Sequence, residues 1–87
     1  MKQKIYSIYD TKLQAYLSPF TSQNNEVAIR EFSQYAQNQN SPFAKNPNDY
    51  QLIQVGEWDD DTGQPTPTDH TNLGFASEYI QNDQQSS

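Results

Sequence analysis

The sequence predicts a small α+β domain: an antiparallel sheet of three or four strands with one main helix packed on one face, in ββαβ(β) order. Three observations carry this. Lys4 to Tyr9 is rich in β-branched and aromatic residues, as strands are. Ala28, Ile29, Phe32, Tyr35 and Ala36 recur at helical spacing and form one apolar stripe. Tyr50 to Trp58 then returns to a strand period. A helix laid on one face of an antiparallel sheet buries both apolar surfaces in two layers.

The elements follow in order. In the first strand Ile5, Ser7 and Tyr9 share one face, and Lys4, Tyr6 and Ile8 the other. Asp10-Thr11-Lys12 supplies a turn. Ala15 to Phe20 reads as a second strand, antiparallel to the first, with Pro19 near its end where a missing donor is tolerated. Asn24 or Asn25 caps the helix, and Glu26 sits in its first turn, where a carboxylate meets the positive end of the dipole. The helix should stop near Asn38–Asn40, ahead of Ser41-Pro42. Residues 40–49 form a Pro- and Asn-rich loop. After Trp58, residues 59–64 turn around Gly63. Pro65-Thr66-Pro67-Thr68 suits a short edge strand, since proline blocks further pairing. Asn72 caps a short C-terminal helix with Leu73, Ala76 and Ile80 inward, or else that stretch is another strand. Residues 1–80 make one domain, and 81–87 a disordered tail.

Composition sets limits. The 87 residues hold only 15 Leu, Ile, Val and Phe, but 11 aromatics. The core is therefore thin and aromatic in a very polar shell. No apolar stretch approaches the ~20 residues of a membrane span, and the start MKQKIYSIYD lacks the apolar run of a signal peptide. Without cysteine there is no disulfide, thiolate metal site or cysteine nucleophile. A chain this short is marginally stable unaided, so a homodimer is a reasonable expectation. The net charge of −6 is uneven. Residues 1–45 hold all five cations against three acids, and residues 46–87 hold eight acids and neither Lys nor Arg. Such a split sets up a field across the domain.

An ordered set of short blocks adds a resemblance. It runs Tyr6-Ser7-Ile8-Tyr9-Asp10-Thr11-Lys12, Tyr16, Pro19-Phe20 and Ala28-Ile29-Arg30-Glu31-Phe32. It continues with Phe43, Lys45, Pro47 to Tyr50, Leu52, Gly56-Glu57-Trp58-Asp59 and Thr62-Gly63. The chain resembles the small nonstructural protein of gokushovirus-type microviruses, phages with a circular single-stranded DNA genome. The resemblance implies a protein of the host bacterial cytoplasm, absent from the mature virion, that serves DNA replication or packaging. It implies no catalytic residues.

Two kinds of partner are compatible with the residues. Single-stranded DNA is held by cations beside aromatic stacking platforms. Lys2, Lys4, Tyr6, Lys12, Tyr16 and Arg30 are the candidates in the first half, with Tyr9 among the aromatics beside these cations, the other reading of each tyrosine being a core or edge position. Five cations in a chain of net charge −6 cannot coat a genome by charge, so any such contact is face-specific and weak. Alternatively Trp58, Asp59, Asp60 and Asp61 could meet a basic phage replication or capsid protein, or a host protein, although a solvated turn explains the acids as well. No metal site is expected. His70 is the single histidine, and Asp59-Asp60-Asp61-Thr62-Gly63 lacks the later oxygen ligands of a calcium loop. No phosphate loop, nucleophile elbow or cofactor motif is present, and no enzymatic activity is expected.

Overall fold

The computed structural model describes residues 2–80, so the expected tail at 81–87 lies outside the described residues. Five strands form one antiparallel sheet. In chain order the elements are β1 (Lys2–Asp10), β2 (Ala15–Tyr16), β3 (Phe20–Ser22), helix α1 (Asn25–Gln37), short helix α2 (Pro42–Lys45), a 3-10 turn (Pro47–Asp49), β4 (Tyr50–Asp59), β5 (Gln64–Phe75) and a last 3-10 turn (Ala76–Glu78). The sheet order is β2-β1-β4-β5, and β3 also pairs with β1.

The class is α+β with one main helix, but the sheet has five strands rather than three or four, and several details differ from expectation. The second strand is split. Tyr16 still opposes Tyr9 and Phe20 opposes Tyr6, but Leu17, Ser18 and Pro19 fall between the two pieces. Proline cannot donate to a ladder, and pairing resumes only after it. The stretch after Gly63 is one long strand rather than a short one. Asn72 caps no α-helix; its side chain accepts from the Gly74 backbone N–H at 2.9 Å. The loop at 40–49 also coils into α2 and a 3-10 turn, each opened by a proline at its start.

The helix begins where the cap residue sits. The Asn24 side chain accepts the Val27 N–H at 2.9 Å, satisfying one of the donors a helix start leaves unpaired. Ala28, Phe32 and Ala36 are buried against Tyr6, Ile8 and Leu52, with Ala76 closing the cluster. Tyr35, on the same predicted stripe, stays 55% exposed. The helix bridges β3 to β4. Both strands run antiparallel to β1, so this is a crossover over the central strand.

β4 and β5 come close enough at Gly56 that a Cβ there would lie 2.7 Å from the Thr66 carbonyl oxygen. Val55 is an extra residue against β1, where Ile5 pairs with Gly56 and Tyr6 with Gln54. On the other side Gln54 pairs with Thr71 and Gly56 with Pro67. Thr68, Asp69 and His70 therefore face Val55 alone, a wide bulge that bends the edge strand.

Candidate nucleic-acid and partner interface

The registers sort each candidate onto one of two sheet faces, because directly opposed residues point the same way. Lys4, Tyr6 and Ile8 face the helix; Gln3, Ile5, Ser7 and Tyr9 face away from it, into the face that no helix covers. Tyr9 carries Tyr16 and Gln51 onto this bare face, and Gln3 carries Trp58.

Tyr6 is not a stacking platform. It is 0% exposed; its ring stacks on Phe20 with centroids 5.7 Å apart, and its hydroxyl donates to Asn25 Oδ1 at 2.7 Å. Burial raises its pKa, so the hydroxyl keeps the proton it donates. Period-two alternation gave Tyr6 a face but did not say that the helix would occupy it.

The five cations do not converge. Lys2 and Lys4 start β1 opposite Asp59 and Glu57, and the Lys2 ammonium lies 4.0 Å from a Glu57 oxygen. Exposed pairs of this kind contribute little energy, but they cancel local positive potential. Lys12 lies beyond the other end of β1, about 25–30 Å away at strand rise. Arg30 sits on the exposed side of α1 and Lys45 on α2. The six proposed nucleic-acid residues thus divide among both sheet faces, both ends of β1 and the helix.

What does assemble is a row of rings on the bare face. The Tyr9 and Tyr16 centroids are 4.8 Å apart, and Tyr16 meets His70 edge-on at 5.6 Å. The Tyr16 hydroxyl and His70 Nδ1 lie 3.3 Å apart. Tyr16 is on one sheet edge and His70 on the other, with β1 and β4 between them. Three strand spacings amount to ~14 Å, so the two side chains lean across the middle strands and the bare face is concave. Beneath them Ser7 and Ile53 are buried without helix cover, and the Ser7 hydroxyl donates to the Leu17 carbonyl at 2.6 Å. Tyr16 remains 48% exposed. Lys12 is two residues beyond Asp10, the neighbour of Tyr9. His70 escaped the sequence-based site, because it reaches Tyr16 only through the β5 bulge; Tyr9 stands beside Tyr16 among the aromatics that the sequence singles out.

The turn between Lys12 and Tyr16 is tightly held. Asp10, 6% exposed, accepts the Lys12 and Leu13 N–H groups at 3.0 and 3.1 Å. Gln14 closes the turn at φ 57°, a left-handed position that a non-glycine residue adopts at some cost.

The acidic candidates are at the opposite end. Trp58 opposes Gln3 and Pro65 and is half-buried. The turn after it holds Gly63 at φ 72°, with the Gly63 N–H donating to the Asp59 carbonyl at 2.7 Å and the Asp61 N–H to Asp59 Oδ1 at 2.9 Å. One oxygen of each of Asp59, Asp60 and Asp61 lies within 4.8 Å of the others, the one potential metal-ligand group of three found among the described residues. Hard cations such as calcium take six to eight oxygens, more than these three supply.

A family model described as phage ORF5 protein matches residues 3–79. The chain belongs to the phage ORF5 protein family. The match takes in every strand and helix described above except the first residue of β1, so both the bare face and the acidic turn lie within the family's extent. No curated protein matches the chain, and no solved structure does. Among the described residues no helix of this ORF5 protein is long and apolar enough to cross a membrane.

Proposed function

We propose that this ORF5 protein is a non-enzymatic accessory of a single-stranded DNA phage of the microvirus type. It works in the host cytoplasm during genome replication or packaging and is left out of the finished particle. It acts by weak binding of single-stranded DNA. The observation that supports this reading is the Tyr9–Tyr16–His70 row on a concave, helix-free sheet face. Unpaired bases stack on such rings whatever their identity. With the cations dispersed, stacking supplies most of the affinity and phosphate contacts little. A gel shift with single-stranded DNA tests this. Retardation at ~50 mM salt that persists near 150 mM supports it, because stacking resists salt while phosphate contacts do not. Absence of any shift at ~50 mM sinks it.

A second reading rests on the other end of the molecule. Three clustered carboxylates beside Trp58 suit a basic protein surface, such as a phage replication or capsid protein, and tryptophan is a common anchor at such contacts. Pull-down from infected cells would then recover a basic protein. Recovery unchanged by joint Asp59→Asn, Asp60→Asn and Asp61→Asn substitution rules this reading out.

A further inference from the structure

An open apolar groove of about 510 Å³ runs between the broken edge strand and the helix, with Leu17 and Phe20 on one side and Tyr35 and Phe43 on the other. One carboxylate, Glu31, stands in its wall. The gap exists because pairing with β1, still made by the Leu17 N–H to the Ile8 carbonyl at 2.8 Å, lapses at Ser18 and Pro19, so no continuous strand closes against α1. The described residues expose three large hydrophobic side chains: Leu13 at 71%, Tyr35 at 55% and Tyr16 at 48%. Of these, Tyr35 lines the groove; Leu13 is on the hairpin that leads into Leu17, and Tyr16 of that hairpin points to the bare face instead. The Thr11 N–H and hydroxyl both donate to the Asp49 carbonyl, at 2.9 and 3.1 Å, which fixes the Leu13 turn beside the segment that follows Phe43.

Leu13 is therefore a rigid knob. It is presented by a turn pinned at Asp10 and Asp49, and it follows a lysine. The groove is its complement, an apolar floor with a carboxylate in the wall. We propose that the groove receives the Lys12-Leu13 turn of a second copy of this chain, with Leu13 on the apolar floor and the Lys12 ammonium against the partner's Glu31. The same turn and groove on both copies make the contact reciprocal, as a two-fold dimer requires. Charge permits this arrangement and disfavours others. The acidic Asp59–Asp61 turn lies at the far end of β1 from Leu13, so two copies meet through their least acidic parts while their like-charged ends stay apart. Strand-to-strand pairing is a poorer route, because Pro19 interrupts one edge and Pro65 and Pro67 the other. So small a contact belongs to the weak, transient class.

Sedimentation equilibrium of the full chain tests this from ~10 μM to ~1 mM. The expected mass rises with concentration from the 10.0 kDa of one chain toward twice that value. Leu13→Asp places an unpaired charge on the apolar floor and should weaken association about tenfold or more. Lys12→Glu and Glu31→Lys should each weaken it, and the double variant, which restores opposite charges across the contact, should recover it. Circular dichroism checks that each variant remains folded; these side chains are exposed, so it should. A wild-type mass that stays at one chain through 1 mM overturns the proposal. So does a dimer that Leu13→Asp leaves intact, or a charge-swapped double variant no better than either single one.

Discussion

Replacing Tyr6 with Phe removes one oxygen from the centre of the molecule and leaves the ring in place. That oxygen donates to Asn25 Oδ1 at 2.7 Å, tying the central strand to the first turn of α1. The lost bond and the half-buried amide oxygen left without a donor together cost about 1–2 kcal/mol. The whole domain holds only about 4–13 kcal/mol by length. For a chain of this size each kcal/mol moves Tm by about 4–8 °C, so Tyr6→Phe should melt about 4–16 °C below wild type. Tyr6→Ala also empties the ring's place against Phe20 and should cost about 3–5 kcal/mol, a large share of the total, and give a much lower urea midpoint. Urea titration followed by Trp58 fluorescence reads both. Single-stranded DNA affinity should be unchanged in folded Tyr6→Phe, because the hydroxyl faces the helix. A wild-type midpoint for Tyr6→Phe, or a stable variant that loses DNA binding, refutes the assignment of Tyr6 to the core.

Other perturbations test other parts of the fold. Gly56→Ala sets a methyl 2.7 Å from the Thr66 carbonyl oxygen and must push β4 from β5, a loss of about 1–3 kcal/mol visible as a lower urea midpoint. Gln14→Gly relieves a side chain held at φ 57° and should add about 0.5–1 kcal/mol of stability, read as a higher midpoint. The pKa of Tyr6 is raised by burial; those of Tyr50 and Tyr79 are raised first by burial, then by Asp10 and Asp49 for Tyr50 and by Glu78 for Tyr79. The unfolded chain therefore loses these protons first. The stability they contribute is complete below pH ~10 and falls as pH rises above it, by at most ~1.4 kcal/mol per unit for each tyrosine. Urea midpoints from pH 8 to 11 should be flat and then drop; a midpoint that climbs above pH 10 would contradict the burial of these hydroxyls.

Legibility in the sequence divided along the line between local and distant causes. Asn24, Glu26 and the Ala28–Phe32–Ala36 stripe specify a helix through neighbours a turn away, and the helix lies where they put it. Tyr50 to Trp58 alternates strongly enough to mark β4. Pro65 and Pro67 argued for a short edge strand. Each of them does sit on the edge, but β5 runs on to Phe75 because its pairing with β4 outweighs the missing donors. The split at Pro19 follows from a local rule, whereas resumption at Phe20 depends on Tyr6 stacking across the strands. The candidate site was the least legible part. Choosing which face of β1 meets the helix depends on where α1 packs, and that decides between Tyr6 and Tyr9. The contact of Tyr16 with His70 joins residues 54 apart through a bulge and a curved sheet, neither of which leaves a mark in a short window of sequence.

The central claim is that single strands lie on the bare face by stacking, and Tyr16 is its most exposed ring. Fluorescence anisotropy with a labelled oligothymidine, measured for wild type, Tyr16→Ala and Lys4→Ala at ~50 and ~150 mM salt, tests it directly. One stacked base accounts for ~1–3 kcal/mol, so Tyr16→Ala should weaken binding ~5- to 150-fold at both salt concentrations, while Lys4→Ala, on the helix side opposite Glu57, leaves it within about twofold. Equal affinity of Tyr16→Ala and wild type, or a larger loss in Lys4→Ala than in Tyr16→Ala, would contradict the account.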